Sequence, residues 1–142
     1  MSDTLAPVAT MTYSRGKLSK KKLLHFYDRL VLPRLIEEKM LSLLRQGKIS
    51  KWFAGIGQEA ISVGCALALE QDEYMFTMHR NLGVFTTREV PFDRLFGQWQ
   101  GKMTGYTKGR DRSFHFGATE HHIVGMISHL GPQLSLAAGV GL

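Results

Sequence analysis

A single cysteine, Cys65, in 142 residues leaves no intrachain disulfide framework to consider. Its neighbours Val63, Gly64, Ala66 and Leu67 predict a small buried apolar residue within a helix. No apolar run approaches the ~20 residues of a membrane-spanning helix. The first fifteen residues also lack the basic start, apolar centre and small-residue cleavage site of a secretory signal. A reducing, cytoplasmic setting without membrane contact is therefore the expectation. Acidic residues are in the minority: 12 Asp and Glu against 18 Lys and Arg give a net charge of +6 and a pI near 9.7. That balance permits contact with an anionic partner. The only dense basic run, Lys20-Lys21-Lys22, reads as a solvated helix end, so nucleic acid is not expected as a partner.

The common signatures of catalysis are missing too. The six histidines include His115 and the pair His121-His122, but no C-x₂-C or H-E-x-x-H spacing occurs, so no protein-ligated transition metal is expected. There is no G-x-S-x-G elbow, and Cys65 has no histidine beside it, which excludes the usual nucleophile arrangements. The glycine-rich segments match neither G-x-x-x-x-G-K-[ST] nor G-x-G-x-x-G, so ordinary nucleotide binding has no support.

What is present is helical patterning with short apolar runs. Residues 1–17 mix Thr, Ser, Pro and Gly without period and read as a flexible N-terminal arm; residues 18–142 read as one domain part. Ser19 is a suitable N-cap for a long amphipathic helix carrying Leu23, Phe26, Leu30, Met40 and Leu44. Pro33 is expected to kink or split that helix, and Gly47 to stop it. Gln58 to Leu69 predicts a second helix, Tyr74-Met75-Phe76 a short buried strand of a parallel sheet, and Asn81 to Arg88 a short helix. A further helix starts at Pro91 and runs to about Gln100. Lys102 to Glu120 predicts a long exposed loop, of a length that is often functional. Ile123 to Ile127 predicts another buried segment, and Pro132 opens an apolar helix that stays uncapped to Leu142. That uncapped end implies that the natural polypeptide continues.

Arg80 stands just after the expected strand 74–76, followed by a segment able to start a helix. In an α/β protein that is where a phosphorylated ligand is met. A guanidinium there can clamp a diphosphate bidentately, and the turn Ser128-His129-Leu130-Gly131 can offer carbonyls and a hydroxyl to a heteroaromatic ring. Arg80 can equally cap a helix or bridge Glu73, with Leu130 in the core.

These pieces in this order resemble the alpha subunit of the decarboxylating first component of 2-oxo acid dehydrogenase complexes. The likeness rests on Arg45-Gln46-Gly47-Lys48-Ile49, Gly57-Gln58-Glu59-Ala60 with Val63-Gly64, and His79-Arg80-Asn81 through Gly83-Val84. It continues in Lys108-Gly109-Arg110 before Ser113-Phe114-His115, and in the segment from Ser128 to Gly139. The resemblance implies the N-terminal part of a thiamine-diphosphate-binding α/β fold, helix-rich, with helices packed on a short parallel sheet. It implies oxidative decarboxylation of a branched-chain 2-oxo acid or pyruvate, with thiamine diphosphate and magnesium as cofactors and acyl transfer to lipoyl. Partners implied are a beta subunit or fused beta-like half and a lipoyl-bearing transacylase component, in an oligomer.

By the same resemblance Arg80 binds the cofactor diphosphate, with His79 beside it where relatives often carry tyrosine. Ser128 and Leu130 fall where the family cradles the aminopyrimidine. Gln133 matches a glutamine near a potassium site in some members, although Pro132 replaces the usual threonine and His129 occupies another contact position. His115 either approaches the mouth of the site or orients a loop. The family's Gly-Asp-Gly motif, which holds magnesium, lies beyond the equivalent of Leu142, so the chain alone is expected to be inactive. Related acetoin dehydrogenases share this type of alpha subunit. A non-catalytic interaction module using the long helix and basic surface is the alternative from another class. Self-association through the apolar final helix is a third reading.

Overall fold

The computed structural model describes residues 12–125 and 131–142. Helix α1 (Lys20–Arg45) begins where Ser19 accepts the Lys22 amide at 3.2 Å. It ends in a turn where the amides of Gly47 and Lys48 return to the carbonyls of Leu44 and Leu43. Gly47 takes φ of +68°, a conformation that glycine adopts without a Cβ penalty. Of the two outcomes expected at Pro33, a kink or a split, the split does not occur: α1 is continuous over 26 residues with Pro33 buried inside it. The missing proline N–H removes one helical bond, and burial of Pro33, Ile36 and Met40 on one stripe offsets that loss.

Helix α2 (Glu59–Ala68) and helix α3 (Leu82–Thr87) pack on α1 and on each other. Gly83 permits the α2–α3 approach, since a Cβ there would overlap the Ser62 hydroxyl. Helix α2 buries Ser62, Val63 and Ala66. Cys65 lies on its other side and is exposed, which corrects the expectation of a buried thiol. Only one stripe of this short helix meets the core, and Val63 and Ala66 lie on it while Cys65 does not.

Strand β1 (Met75–Phe76) pairs in parallel with strand β2 (Ile123–Gly125), Met75 opposite Ile123 and Phe76 opposite Gly125, with an irregularity between the two pairs. This two-stranded parallel sheet among helices is a helix-rich α/β arrangement. Helix α4 (Phe92–Trp99) follows Pro91, and helix α5 (Pro132–Val140) opens at Pro132, both as predicted. Beneath the sheet lies a core of Met40, Phe85, Leu95, Ala118 and Ile123, each 0% exposed, joined by Trp52, Trp99, Phe114 and Phe116. Trp52 meets Trp99 edge-on at 5.1 Å and Phe114 at 5.0 Å.

The segment 102–120 has no helix or strand until a 3₁₀ turn at Thr119–His121, as its composition suggests, but it is not simply exposed. Gly105, Phe114, Phe116 and Ala118 are buried. The cause is Gln98, 1% exposed on α4, whose amide holds the loop from inside: Nε2 donates to the Arg112 carbonyl at 3.0 Å, while Oε1 accepts from the Thr107 amide and hydroxyl. Among the described residues no helix is long and apolar enough to cross a membrane. Most of the predicted N-terminal arm, residues 1–11, lies outside the described residues; residues 12–18 are exposed and carry no helix or strand.

Candidate functional site

The C-terminal end of β1 runs into a tight turn, residues 78–81. The Asn81 side chain accepts the Met78 amide at 2.8 Å and its own amide donates to the Met78 carbonyl at 3.0 Å. This double closure is the local reason that Asn81 follows the strand, and it sets His79 and Arg80 at the turn's centre. The Arg80 guanidinium is exposed and makes no hydrogen bond or ion pair with the described residues. The alternative in which Arg80 bridges Glu73 is not what the fold does. The Glu73 carboxylate accepts the Glu70 amide at 2.7 Å, and its carbonyl accepts from Arg88.

His79 turns against Phe53, ring centroids 4.7 Å apart, and both line a cavity of about 220 Å³ with Lys51, Arg112, Phe114 and His115. The fold thus brings His79 and His115 together from segments distant in sequence. Burial lowers the His79 imidazole below its ordinary value, and the nearby Arg80 and His115 charges lower it further. Two loops meet here. The Ser113 hydroxyl donates to the Lys51 carbonyl at 3.2 Å, and Lys51 Nζ sits 4.9 Å from the centre of the Phe53 ring. His115 Nδ1 lies 3.4 Å from the Asp111 carboxylate, the one acidic group in the 109–115 loop.

Behind the loop 51–57 stands a residue that the sequence reasoning missed. Glu37 is 2% exposed, and its carboxylate accepts the Trp52 indole N–H at 2.6 Å and the Gly55 amide at 3.0 Å. Desolvation raises its carboxyl above the usual range, opposed by those two hydrogen bonds. Gly55 in turn lies so close to the Arg80 carbonyl that a Cβ would overlap it. A continuous path runs from Glu37 through Gly55 to the backbone of Arg80. The available signal was position: Glu37 falls four residues after Pro33 and three before Met40, inside the buried stripe of α1.

Of the other predicted residues, Ser128 and Leu130 lie outside the described residues. Their flanks converge on β1. Gly125 pairs with Phe76, and Gln133 Nε2 donates to the Thr77 carbonyl at 2.6 Å, two residues before His79. Gln133 therefore anchors the start of α5 beside the turn that carries Arg80. Among the described residues no group of three or more His, Cys, Asp or Glu side chains is placed to hold a metal ion.

What the arrangement can do follows from its charge. A free guanidinium, two cations lining the adjoining cavity and an imidazole kept neutral by burial suit an anionic ligand with an aromatic or apolar part. The donor set at Arg80 therefore fits a diphosphate group. A model of the family described as dehydrogenase E1 component matches residues 27–142. The 2-oxoisovalerate dehydrogenase subunit alpha of Bos taurus is 32% identical over 122 residues, covering 86% of this chain and 27% of that protein. The corresponding alpha 1 subunit of Arabidopsis thaliana is 29% identical over 124 residues, covering 87% of the chain and 26% of the relative. That of Caenorhabditis elegans is 35% identical over 95 residues, 67% of the chain and 22% of the relative. The chain spans about a quarter of the length of these curated relatives.

Proposed function

Because the chain belongs to the dehydrogenase E1 component family, we propose that it forms part of an alpha subunit that oxidatively decarboxylates a branched-chain 2-oxo acid. The branched-chain assignment follows the relatives, which are 2-oxoisovalerate dehydrogenase alpha subunits, and takes precedence over pyruvate and acetoin. The partners in this reading are a beta subunit and a lipoyl-bearing transacylase that accepts the acyl group. Thiamine diphosphate, when bound, supplies the carbanion and the electron sink that decarboxylation requires.

The chain's own contribution is geometric and electrostatic. Arg80, held in the turn by Asn81 and by the backbone contact at Gly55, binds the diphosphate, with His79 beside it. Ser128 and Leu130 are assigned to the cofactor's ring, and Gln133, already bonded to Thr77, fixes the helix that follows them. His115 and Phe53 close the cavity next to His79 and reduce its access to water. Neutral His79 can accept a hydrogen bond without adding a further positive charge. No magnesium ligand is assigned to the described residues, and by itself the chain supplies one side of a site.

The observation that carries this reading is the free Arg80 guanidinium at the end of β1, beside a cavity containing His79 and His115. The test is calorimetric titration of thiamine diphosphate with Mg²⁺ into the chain assembled with a beta subunit, carrying Arg80 or Arg80→Ala. A loss of about tenfold in affinity or more, equivalent to about 1.4 kcal/mol, is expected. Equal affinity in the two assemblies would remove Arg80 from the diphosphate role.

A further inference from the structure

A second and larger cleft, about 680 Å³, lies between residues 48–51, the end of α4 and the segment 109–113. One wall carries Lys48 and Lys51, and the other Arg110 and Arg112; Ile49 and Trp99 also line it. Arg80 and His79 do not line this cleft, although Lys51, Arg112 and Ser113 line both it and the His79 cavity; Lys48 and Arg110 belong to the cleft alone. None of its four cations is ion-paired with a carboxylate of the described residues. Asp111, between the arginines, also lines the cleft; its carboxylate accepts the Arg112 amide at 2.7 Å and lies 3.4 Å from His115 Nδ1. Four cations with one carboxylate among them leave a net positive cleft, and an anion of matching size relieves their repulsion.

The loop bearing the arginines is built in advance of any ligand. Gln98 holds Arg112 and Thr107 from the interior, the Arg110 amide donates to the Thr107 carbonyl at 3.0 Å, and the Asp111 amide reaches the Thr107 hydroxyl at 3.3 Å. Gly109, at φ of +77°, lies against the Gly101 backbone so closely that a Cβ would overlap the Gly101 carbonyl. A preformed wall loses little freedom on binding. The Trp99 indole N–H, in a side chain 3% exposed, has no acceptor among the described residues, which is uncommon for a buried donor.

We infer that this cleft, which adjoins the His79 cavity but does not include Arg80, is a binding site for a small molecule carrying two phosphoryl groups. A volume of this size suits a small ligand. Two cations on each wall require more than one anionic group, and the planar forks of Arg110 and Arg112 match the paired oxygens of a phosphoryl group. The inference does not depend on the decarboxylase reading, because Arg80 belongs to neither wall.

The test is calorimetric titration of inorganic pyrophosphate into the full chain without added metal, at constant ionic strength set with NaCl. Citrate serves as the comparison anion. Saturable binding of one pyrophosphate is expected, weakened about tenfold or more in both Arg110→Gln and Lys48→Gln, two exposed positions, and unchanged in Arg80→Ala. Loss in Arg80→Ala with retention in Arg110→Gln and Lys48→Gln would transfer the anion to the His79 cavity and overturn the proposal. Binding that never saturates, or citrate binding as tight as pyrophosphate, would overturn it as well.

Discussion

The Glu37 carboxyl group accepts the Trp52 indole N–H at 2.6 Å with both residues buried, so a buried acid from α1 holds the loop that supports the turn of Arg80. Removing it leaves two buried donors, Trp52 Nε1 and the Gly55 amide, without an acceptor. Glu37→Ala should therefore cost about 2–4 kcal/mol of stability, measured by urea unfolding followed through Trp52 and Trp99. Glu37→Gln keeps one acceptor and should cost less.

The pH dependence of that pair has a defined sign. Burial raises the folded carboxyl of Glu37 above its ordinary 4.5, so the folded state favours the neutral form. The stabilisation from this group is complete below about pH 4.5 and is lost as pH rises through the raised value. Glutamine has no such titration. The stability of the parent chain relative to Glu37→Gln should thus fall as pH is raised, and a difference that grew with pH would reverse the assignment.

Gly55 permits the approach of two loops rather than a turn of its own. A methyl group at this position would overlap the Arg80 carbonyl, which is backbone and cannot swing aside as a side chain would. Gly55→Ala should destabilise by about 1–3 kcal/mol and displace the 78–81 turn. Amide chemical-shift changes at His79, Arg80 and Asn81 are the expected signature. A substitution that leaves those resonances in place would show the loop to be more yielding than its packing implies.

Local signals were legible in the sequence. Ser19 caps α1, Gly47 ends it, Pro91 and Pro132 open α4 and α5, and the apolar run after Glu73 forms a strand of a parallel sheet. Each depends on a residue's own conformational preferences. What escaped depends on partners far along the chain. The exposure of Cys65 is set by which side of α2 meets the core, and the burial of Phe114 and Phe116 by an aromatic cluster assembled from separate segments. Continuity of α1 through Pro33 reflects tertiary packing overriding a local penalty. At the candidate site, the position of Arg80 shortly after a strand was legible. The grouping of Phe53 and Lys51 with His79 was not, because nothing in the spacing of residues 51 and 79 records that they share a cavity.

The imidazole of His79 offers a direct probe of that cavity. Desolvation is the largest cause of its lowered value, followed by the positive charges of Arg80 and His115. In an NMR titration its ring protons should report a midpoint below 6.5. Arg80→Ala removes only the second cause and should move the midpoint part of the way back. Phe53→Ala opens the ring face to water and should return more of the shift, since it acts on the largest cause. The linked effect on stability follows from the sign. With the folded value depressed, the contribution of His79 is complete above pH 6.5 and is lost as pH falls through the folded value. An anion bound at Arg80 should raise the midpoint by offsetting the guanidinium charge. Titrating His79 with and without thiamine diphosphate therefore reads occupancy of the Arg80 position directly, and a midpoint unmoved by saturating cofactor would place the bound diphosphate elsewhere.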